Sequence, residues 1–423
     1  MDGSRAAGLA GRLAKAALLV WAAGTVLAEP LAQAGAYALL LVAALRARRL
    51  DLDRDVRRFC AAAAALGAWQ AISPALCAWS GSAAGWPKSG RYGQFFDTLA
   101  PALAASAAAD APWVALAWVV SVGWTLSTAL GAFQHFVRWP FDQPAWFRTP
   151  VDRVRESFSL SGPARYGAGG FLFHRLRFAH GAVAALGPAL AVALRTRSAR
   201  VALAGIATTA ALLAATYFSY ARAALLVGLA VVALAVALLG RGWTRWGGVA
   251  AAAAVALGVF ASPEWRSRLL RGEQNLLGGD ERRLSMEVGW ELVRAHPLLG
   301  VGFGRYQEAA WATRGATAVT PLLSIDAHNL WLTAWAETGF AGLLLTAAYH
   351  VLLAQALLRR FREGSWIAAG ALLSFAGFHL LSLVHYLQHH TGVYLSFALV
   401  WGLGLAPAAS SPAPELGLPR PPG

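Results

Sequence analysis

The chain has little charge, little cysteine and almost no lysine. Of its 423 residues 13% are charged, two are cysteines and two, Lys15 and Lys88, are lysines. Cys60 and Cys77 share one apolar stretch, make neither a disulfide framework nor a metal knuckle, and read as packing residues. The alternating pattern of a β-barrel is absent too. Apolar runs such as "AALLVGLAVVALAVALL" (223–239) can therefore satisfy their backbone in a bilayer only as helices. The net charge of +15 forms no single patch or stripe, because the arginines are dispersed between apolar segments, and this argues against nucleic acid as a partner.

What the chain does have is hydrophobic length. It is 57% hydrophobic, with repeated runs near the roughly 20 residues that cross a bilayer. The expected fold class is an all-α polytopic integral membrane protein with spans at 9–27, 31–45, 59–79, 94–109, 112–133, 176–194, 201–218, 223–239, 247–262, 329–357, 366–384 and 393–406. The span at 94–109 is irregular, since it carries Asp97 and Pro101. The N-terminus has the basic flank and apolar core of a signal peptide, but the spans behind it make it an uncleaved first helix. Four short Arg-dense loops, 46–58, 195–200, 241–245 and 359–362, fall on one side, and the positive-inside rule makes that side cytoplasmic. Both termini follow. The expected organisation is nine spans in 1–262 with an outer loop at 134–175, a large outer loop with amphipathic helices at 263–328, three spans in 329–406, and a Pro-rich disordered tail at 407–423.

The two outer loops break the charge rule. Arg138, Arg148, Arg153, Arg155, Arg165 and Arg175 lie in the first, and Arg266, Arg268, Arg271, Arg282, Arg283, Arg294, Arg305 and Arg314 in the second. Long loops translocate largely regardless of charge, which is one explanation. The other is a polyanionic ligand outside, since guanidinium forks suit phosphate oxygens.

The polar entrance "SIDAHNLWLTAWAETGF" (324–340) brings Asp326, His328 and Asn329 to the outer end of a span. Ionisable groups beside a spanning helix are costly, so such an entrance invites a functional explanation. Arg222 stands at the outer turn in "SYARAALLVG", and Arg282 and Arg283 open an amphipathic helix that ends at Pro297 and the glycines Gly300, Gly302 and Gly304. Free N–H groups at that helix start would add to the arginines' attraction for an anion. Two or three guanidinium groups and one imidazole on one face suit transfer of a glycan from a lipid diphosphate. The arginines would stabilise the departing phosphates, and His328 would deprotonate the acceptor hydroxyl, its ordinary pKa of about 6.5 being suited to base catalysis. Against this, His328 can be read as an interfacial cap beside Asn329 and Arg222 as a snorkelling side chain. On a continuous helix Glu337 lies half a turn out of phase with His328, in a stripe with Asn329 and Thr333, and reads as a buried partner for an arginine or a backbone group.

These stretches resemble the O-antigen ligase and O-antigen polymerase family of bacterial membrane glycosyltransferases. The resemblance rests on "HNLWLTAWAETGFAGLLL" (328–345), "RRLSMEVGWELVRAHPLLGVGFGRY" (282–306), "SYARAALLVGL" (219–229) and, more weakly, "GGFLFHRLRFAHGAVAALGPALAVAL" (169–194), together roughly 165–345. It implies a glycosyltransferase C-type membrane fold, a large periplasmic loop, a bacterial inner-membrane location and a metal-independent reaction without cofactor. The implied partners are an undecaprenyl-diphosphate-linked glycan donor and a glycan acceptor, lipid A-core sugar or another lipid-linked repeat. The family's essential histidine maps onto His328 and its membrane-edge arginine onto Arg222. Its loop-helix arginine maps onto Arg282 by spacing to Pro297 and onto Arg283 by local text, and Asn329 joins them as a substrate-binding candidate. Ligase, polymerase and protein-directed transferase all remain open, as does a lipid-linked glycan transporter or flippase that would need no base.

Three other motifs point elsewhere. "DLD" (51–53) looks like a metal-binding Asp-x-Asp but lies in an Arg-rich loop on the wrong side. "HYLQHH" (385–390) spaces His385 and His389 as zinc ligands without a Cys or acidic residue to complete the set, and reads as a packed turn. "SFSLSGPARYGAGG" (157–170) lacks the lysine and preceding strand of a nucleotide-binding loop.

Overall fold

The computed structural model describes residues 3–46, 52–81, 89–137, 165–263, 265–266, 279–314 and 326–407. Asp51, Lys88, most of the first outer loop with Arg138, Arg148, Arg153 and Arg155, Arg268 and Arg271 of the second, and the expected disordered tail lie outside the described residues. The described chain is a helical membrane bundle. Its helices are α1 (Gly3–Leu27), α2 (Glu29–Arg46), α3 (Arg54–Trp79), α4 (Ala100–Ala107), α5 (Trp113–Phe136), α6 (Arg175–Arg195), α7 (Ala199–Phe218), α8 (Arg222–Leu239), α9 (Trp243–Ala261), α10 (Gly279–Ala295), α11 (Tyr306–Arg314), α12 (Leu330–Arg362), α13 (Trp366–Ser382) and α14 (Thr391–Gly404). Among the described residues seven, α1, α3, α5, α6, α7, α8 and α12, are long and apolar enough to cross a membrane, and α13, α14 and much of α9 are shorter apolar helices.

Tight polar turns set the antiparallel packing. Ser198 and Ser365 each follow a helix at once and cap the next, accepting from the N–H of Val201 at 3.4 Å and of Ala368 at 3.3 Å. α6 is the central helix, buried along most of its length and packed by α7, α8, α13 and α14. Small residues bring backbones together: a side chain at Gly187 would sit 2.2 Å from the Gly370 carbonyl oxygen of α13.

The Arg-dense turns collect at one end. Arg359 bonds Asp55 at 2.8 Å, Arg360 pairs with Asp53, and Arg46 pairs with Asp110. Asp53, the second carboxylate of the "DLD" triplet, also caps α3, accepting from Asp55 and Val56 N–H at 3.0 Å. Those duties are structural.

Two elements depart from the expected regular spans. Residues 94–109 form no single α-helix but a 3-10 segment, Ser89–Leu99, running into α4. At about 2.0 and 1.5 Å per residue the two pieces reach about 34 Å, enough for a bilayer core of about 30 Å. They run the depth of the bundle, from Gln94 beside Thr391 at 3.3 Å to Asp110 beside Arg46. The irregular backbone is covered by protein: Thr98 donates to Gln70 at 2.7 Å and Tyr37 to Asp97 at 3.0 Å.

The second departure is α12, expected as one straight span. Its Gly339 has φ 68° and ψ −173°, which breaks it into 330–338 and 340–362. A straight helix would hold residues 331 and 350 about 28 Å apart, yet the Trp331 and His350 rings lie 5.8 Å apart, and Trp331 stacks on His379 of α13 at 5.9 Å. The first piece therefore folds back along the second.

Candidate active site

At the end opposite the paired arginines, the chain after α9 packs over the bundle. The 297–304 turn sits on the α12 kink through Phe340 N–H to the Pro297 carbonyl (2.9 Å), Val301 N–H to Ala336 (2.9 Å) and Gly302 N–H to Glu337 (2.8 Å). It also docks on α3, where Phe303 N–H donates to the Ser73 hydroxyl at 3.1 Å. Two glycines make the approach possible. A Cβ at Gly339 would lie 2.0 Å from the Leu298 carbonyl oxygen, and one at Gly300 would lie 2.5 Å from Glu337 backbone, with φ near +70° at both.

The polar stripe on the first piece of α12 holds this covering in place. The Asn329 side chain caps the helix, accepting from Trp331 and Leu332 N–H at 3.0 Å, and donates to the Leu383 carbonyl at 3.2 Å. Thr333 accepts from Ala327 N–H at 3.1 Å, and the fully buried Glu337 accepts from Tyr306 N–H at 3.2 Å. Tyr306 in turn donates its hydroxyl to the Ser285 carbonyl of α10. Each member of the stripe thus satisfies a backbone N–H. Asn329, expected to touch substrate, is engaged as a cap and a tie to the end of α13.

His328 precedes this stripe in a left-handed conformation, φ 53°, with its N–H bonded to the Asp326 carboxylate at 2.7 Å. Its ring Nδ1 is 3.7 Å from the same oxygen, and its side chain keeps 20% of its surface exposed, against 3% for Asp326. Two further imidazoles lie behind it. The His385 ring is 6.2 Å from that of His328 and 4.8 Å from that of His180 on α6. His385 is almost buried and His180 fully so, with both ring nitrogens of His180 lacking a hydrogen-bond partner. The charge of Arg282, in the first turn of α10, acts on all three rings. Burial, and then Arg282, push the His328 pKa below its ordinary value, while Asp326 opposes them. His385 is driven well down by burial, His180, Arg282, His328 and His390. The site therefore offers one partly exposed imidazole of lowered basicity that feels the charge of a guanidinium.

The other candidates fall as follows. Arg283 is exposed and bonds Glu287 one turn along at 2.8 Å. Arg222 is half-buried at the start of α8, directly after the turn in which Ser219 accepts from Ala221 N–H at 3.1 Å and Tyr220 takes φ 54°. α8 packs on α6, the helix that carries His180. The charges of Asp326 and Arg282 act on His328, and Arg222 stands on a separate element at the same end. Sequence reasoning missed His180 and took His385 for a packed turn. His180 had no local signal, because an imidazole in an apolar helix is unremarked until the fold gives it neighbours. Among the described residues no group of three or more His, Cys, Asp or Glu could hold a metal ion.

Residues 182–347 match the family model described as O-Antigen ligase. That stretch takes in Arg222, Arg282, Arg283, His328, Asn329 and Glu337 and ends within α12. No curated protein matches the chain.

Proposed function

From a multi-pass membrane protein that carries an O-antigen ligase domain, we propose a glycosyltransferase that moves a glycan from undecaprenyl diphosphate to an acceptor hydroxyl at the outer face of a bacterial inner membrane. In this reading the chain crosses twelve times with both termini in the cytoplasm, the broken 89–107 segment counting as one crossing. His328 takes the proton of the acceptor hydroxyl. The freed oxygen bonds to the anomeric carbon of the donor sugar, the sugar–phosphate bond breaks, and the diphosphate leaves with the electron pair. Arg282, with Arg222, neutralises the charge that grows on the leaving oxygen, and no metal is needed for that step. The favoured acceptor in this reading is a lipid A-core sugar, with a further lipid-linked repeat as the alternative. Glu337 and Asn329 act on the fold and not on the substrate.

One observation supports this reading above the others: the most exposed of the three clustered imidazoles is His328, packed edge-on against His385 and subject to the charge of Arg282. A transporter would need no such base. Transfer from a purified lipid-linked donor should fall about 100- to 10,000-fold in His328→Ala, the range of general-base catalysis. Full transfer by that variant would end the proposal. Arg222→Lys keeps the charge but loses the two-pronged geometry, so donor use should weaken, and wild-type kinetics would leave Arg222 a membrane anchor.

A further inference from the structure

The long limb of α12 leaves a row of large apolar side chains uncovered: Phe340, Leu344, Val351 and Leu358 are all exposed. Their spacing puts them within about 40° of one another around the helix, and Leu358 to Phe340 measures about 27 Å along its axis. That is close to the roughly 30 Å of a hydrocarbon core, and Arg359 follows at once at the lower edge. In a helix long and apolar enough to cross a membrane, this stripe is the face turned to lipid.

The stripe does not stop at Phe340. The Pro297 carbonyl accepts from Phe340 N–H at 2.9 Å and from the Trp335 indole N–H at 3.1 Å, so the turn after α10 is fastened to the upper end of the stripe. Leu298, next in that turn, is 71% exposed. The Trp335 ring lies 6.2 Å from that of Phe340 and 6.0 Å from that of Trp290, which stands on α10 with 48% of its surface uncovered. Phe340, Leu298, Trp335 and Trp290 therefore form one patch, continuous with the lipid-facing stripe and placed at its outer limit. Around Trp290 the exposed face of α10 carries Arg283 and Glu287, bonded to each other, and Arg294 one turn on.

We propose that α10 and the turn after it form an interfacial anchor, with Trp290, Leu298 and Phe340 seated in the boundary of the leaflet opposite the Arg-dense end and Arg294 at the level of its headgroups. Two indoles at the end of a lipid-facing stripe match the aromatic belt that marks a membrane–water boundary. A helix that mixes Trp with charged side chains can lie in that plane, and an arginine beside the indoles reaches the headgroups on its long stem. Lipid is favoured over a soluble partner because the patch begins where the stripe ends, about one hydrocarbon thickness from Arg359. The loop helix then rests on the bilayer and is not suspended above it. The proposal does not rest on glycan transfer.

The test is electron paramagnetic resonance of the full chain in vesicles of dioleoyl phosphatidylcholine and dioleoyl phosphatidylglycerol. Cys60 and Cys77 are replaced and a nitroxide is attached at position 290, 298 or 344. Molecular oxygen concentrates in lipid and a charge-neutral nickel chelate in water, so the two relax a label according to its surroundings. Oxygen should outweigh nickel at all three positions, by the widest margin at 344, which lies deeper in the stripe. Should Trp290→Cys fail to give folded protein, Leu298→Cys carries the test, since Leu298 is the most exposed side chain of the patch. Nickel outweighing oxygen at 290 or at 298 would put the patch in water and overturn the proposal. So would labels shielded from both reagents, which would mean that a second copy or another segment of the chain covers the patch.

Discussion

His328 is unlike an ordinary surface histidine in two ways, and both bear on its use. Its backbone is left-handed, a conformation that a non-glycine residue holds only where its surroundings enforce it, here through the Asp326 carboxylate on its own N–H. Its imidazole is also less basic than usual, because burial and Arg282 outweigh Asp326. The base must be unprotonated to act, and a lowered pKa keeps it so through neutrality. With His328 as the base, the midpoint of the acid limb of transfer should thus lie below about 6.5, the ordinary imidazole value. Asp326→Asn removes the one charge that raises the pKa, so the acid limb should move to still lower pH. A pH profile of kcat/KM whose acid limb stood above 6.5 would contradict both statements. His328 and Arg282 were legible in the sequence as residue types at a polar entrance. The choice between Arg282 and Arg283 was not, because neighbouring residues on a helix diverge by about 100° and local text gives no sign of which side meets the rest of the fold.

Among the elements, α12 carries most of what hydropathy could not tell. An apolar run gives the same signal whether it is straight or folded, so 329–357 read as one span although Gly339 divides it. The phase argument for Glu337 ran along a continuous helix from His328, which lies outside the helix at φ 53°, whereas the Thr333 and Glu337 spacing falls within the unbroken piece 330–338. Gly339→Ala would place a Cβ 2.0 Å from the Leu298 carbonyl oxygen in a left-handed conformation. We expect loss of folded protein, read as a lower yield of monodisperse protein and a lower Tm in detergent; an unchanged Tm would mean that the kink relaxes freely. Glu337→Leu leaves the buried Tyr306 N–H without its acceptor and should destabilise by about 1–3 kcal/mol. Glu337→Gln retains an acceptor oxygen and should cost less in the same melts. The broken 89–107 segment shows the same blindness in another form: Asp97 and Pro101 flagged it as irregular, but its side chains bond Gln70, Tyr37 and Thr391, all distant in sequence.

At the scale of the whole molecule, charge is sorted by end. Arginines gather where α2, α6, α8 and α12 finish, and the imidazole cluster lies where α6 and α12 begin. That sorting was readable from loop composition, since short Arg-dense turns recur at every second connection. Its orientation can be measured directly. With Cys60 and Cys77 replaced, a cysteine at position 197 should react with impermeant thiol reagents only from the cytoplasm, and one at 328 only from outside. The reverse pattern would invert the topology.

The folded-back form of α12 also divides its labour. Its long limb is bolted at the foot by Arg359 and Arg360 to the start of α3, and at the shoulder by the 297–303 turn. The short limb is tied as well, through Ala336 and Glu337 to that turn and through Asn329 to the end of α13. His328 is thus carried by a clamped limb, and cutting one of its ties with Asn329→Ala should lower the Tm in detergent.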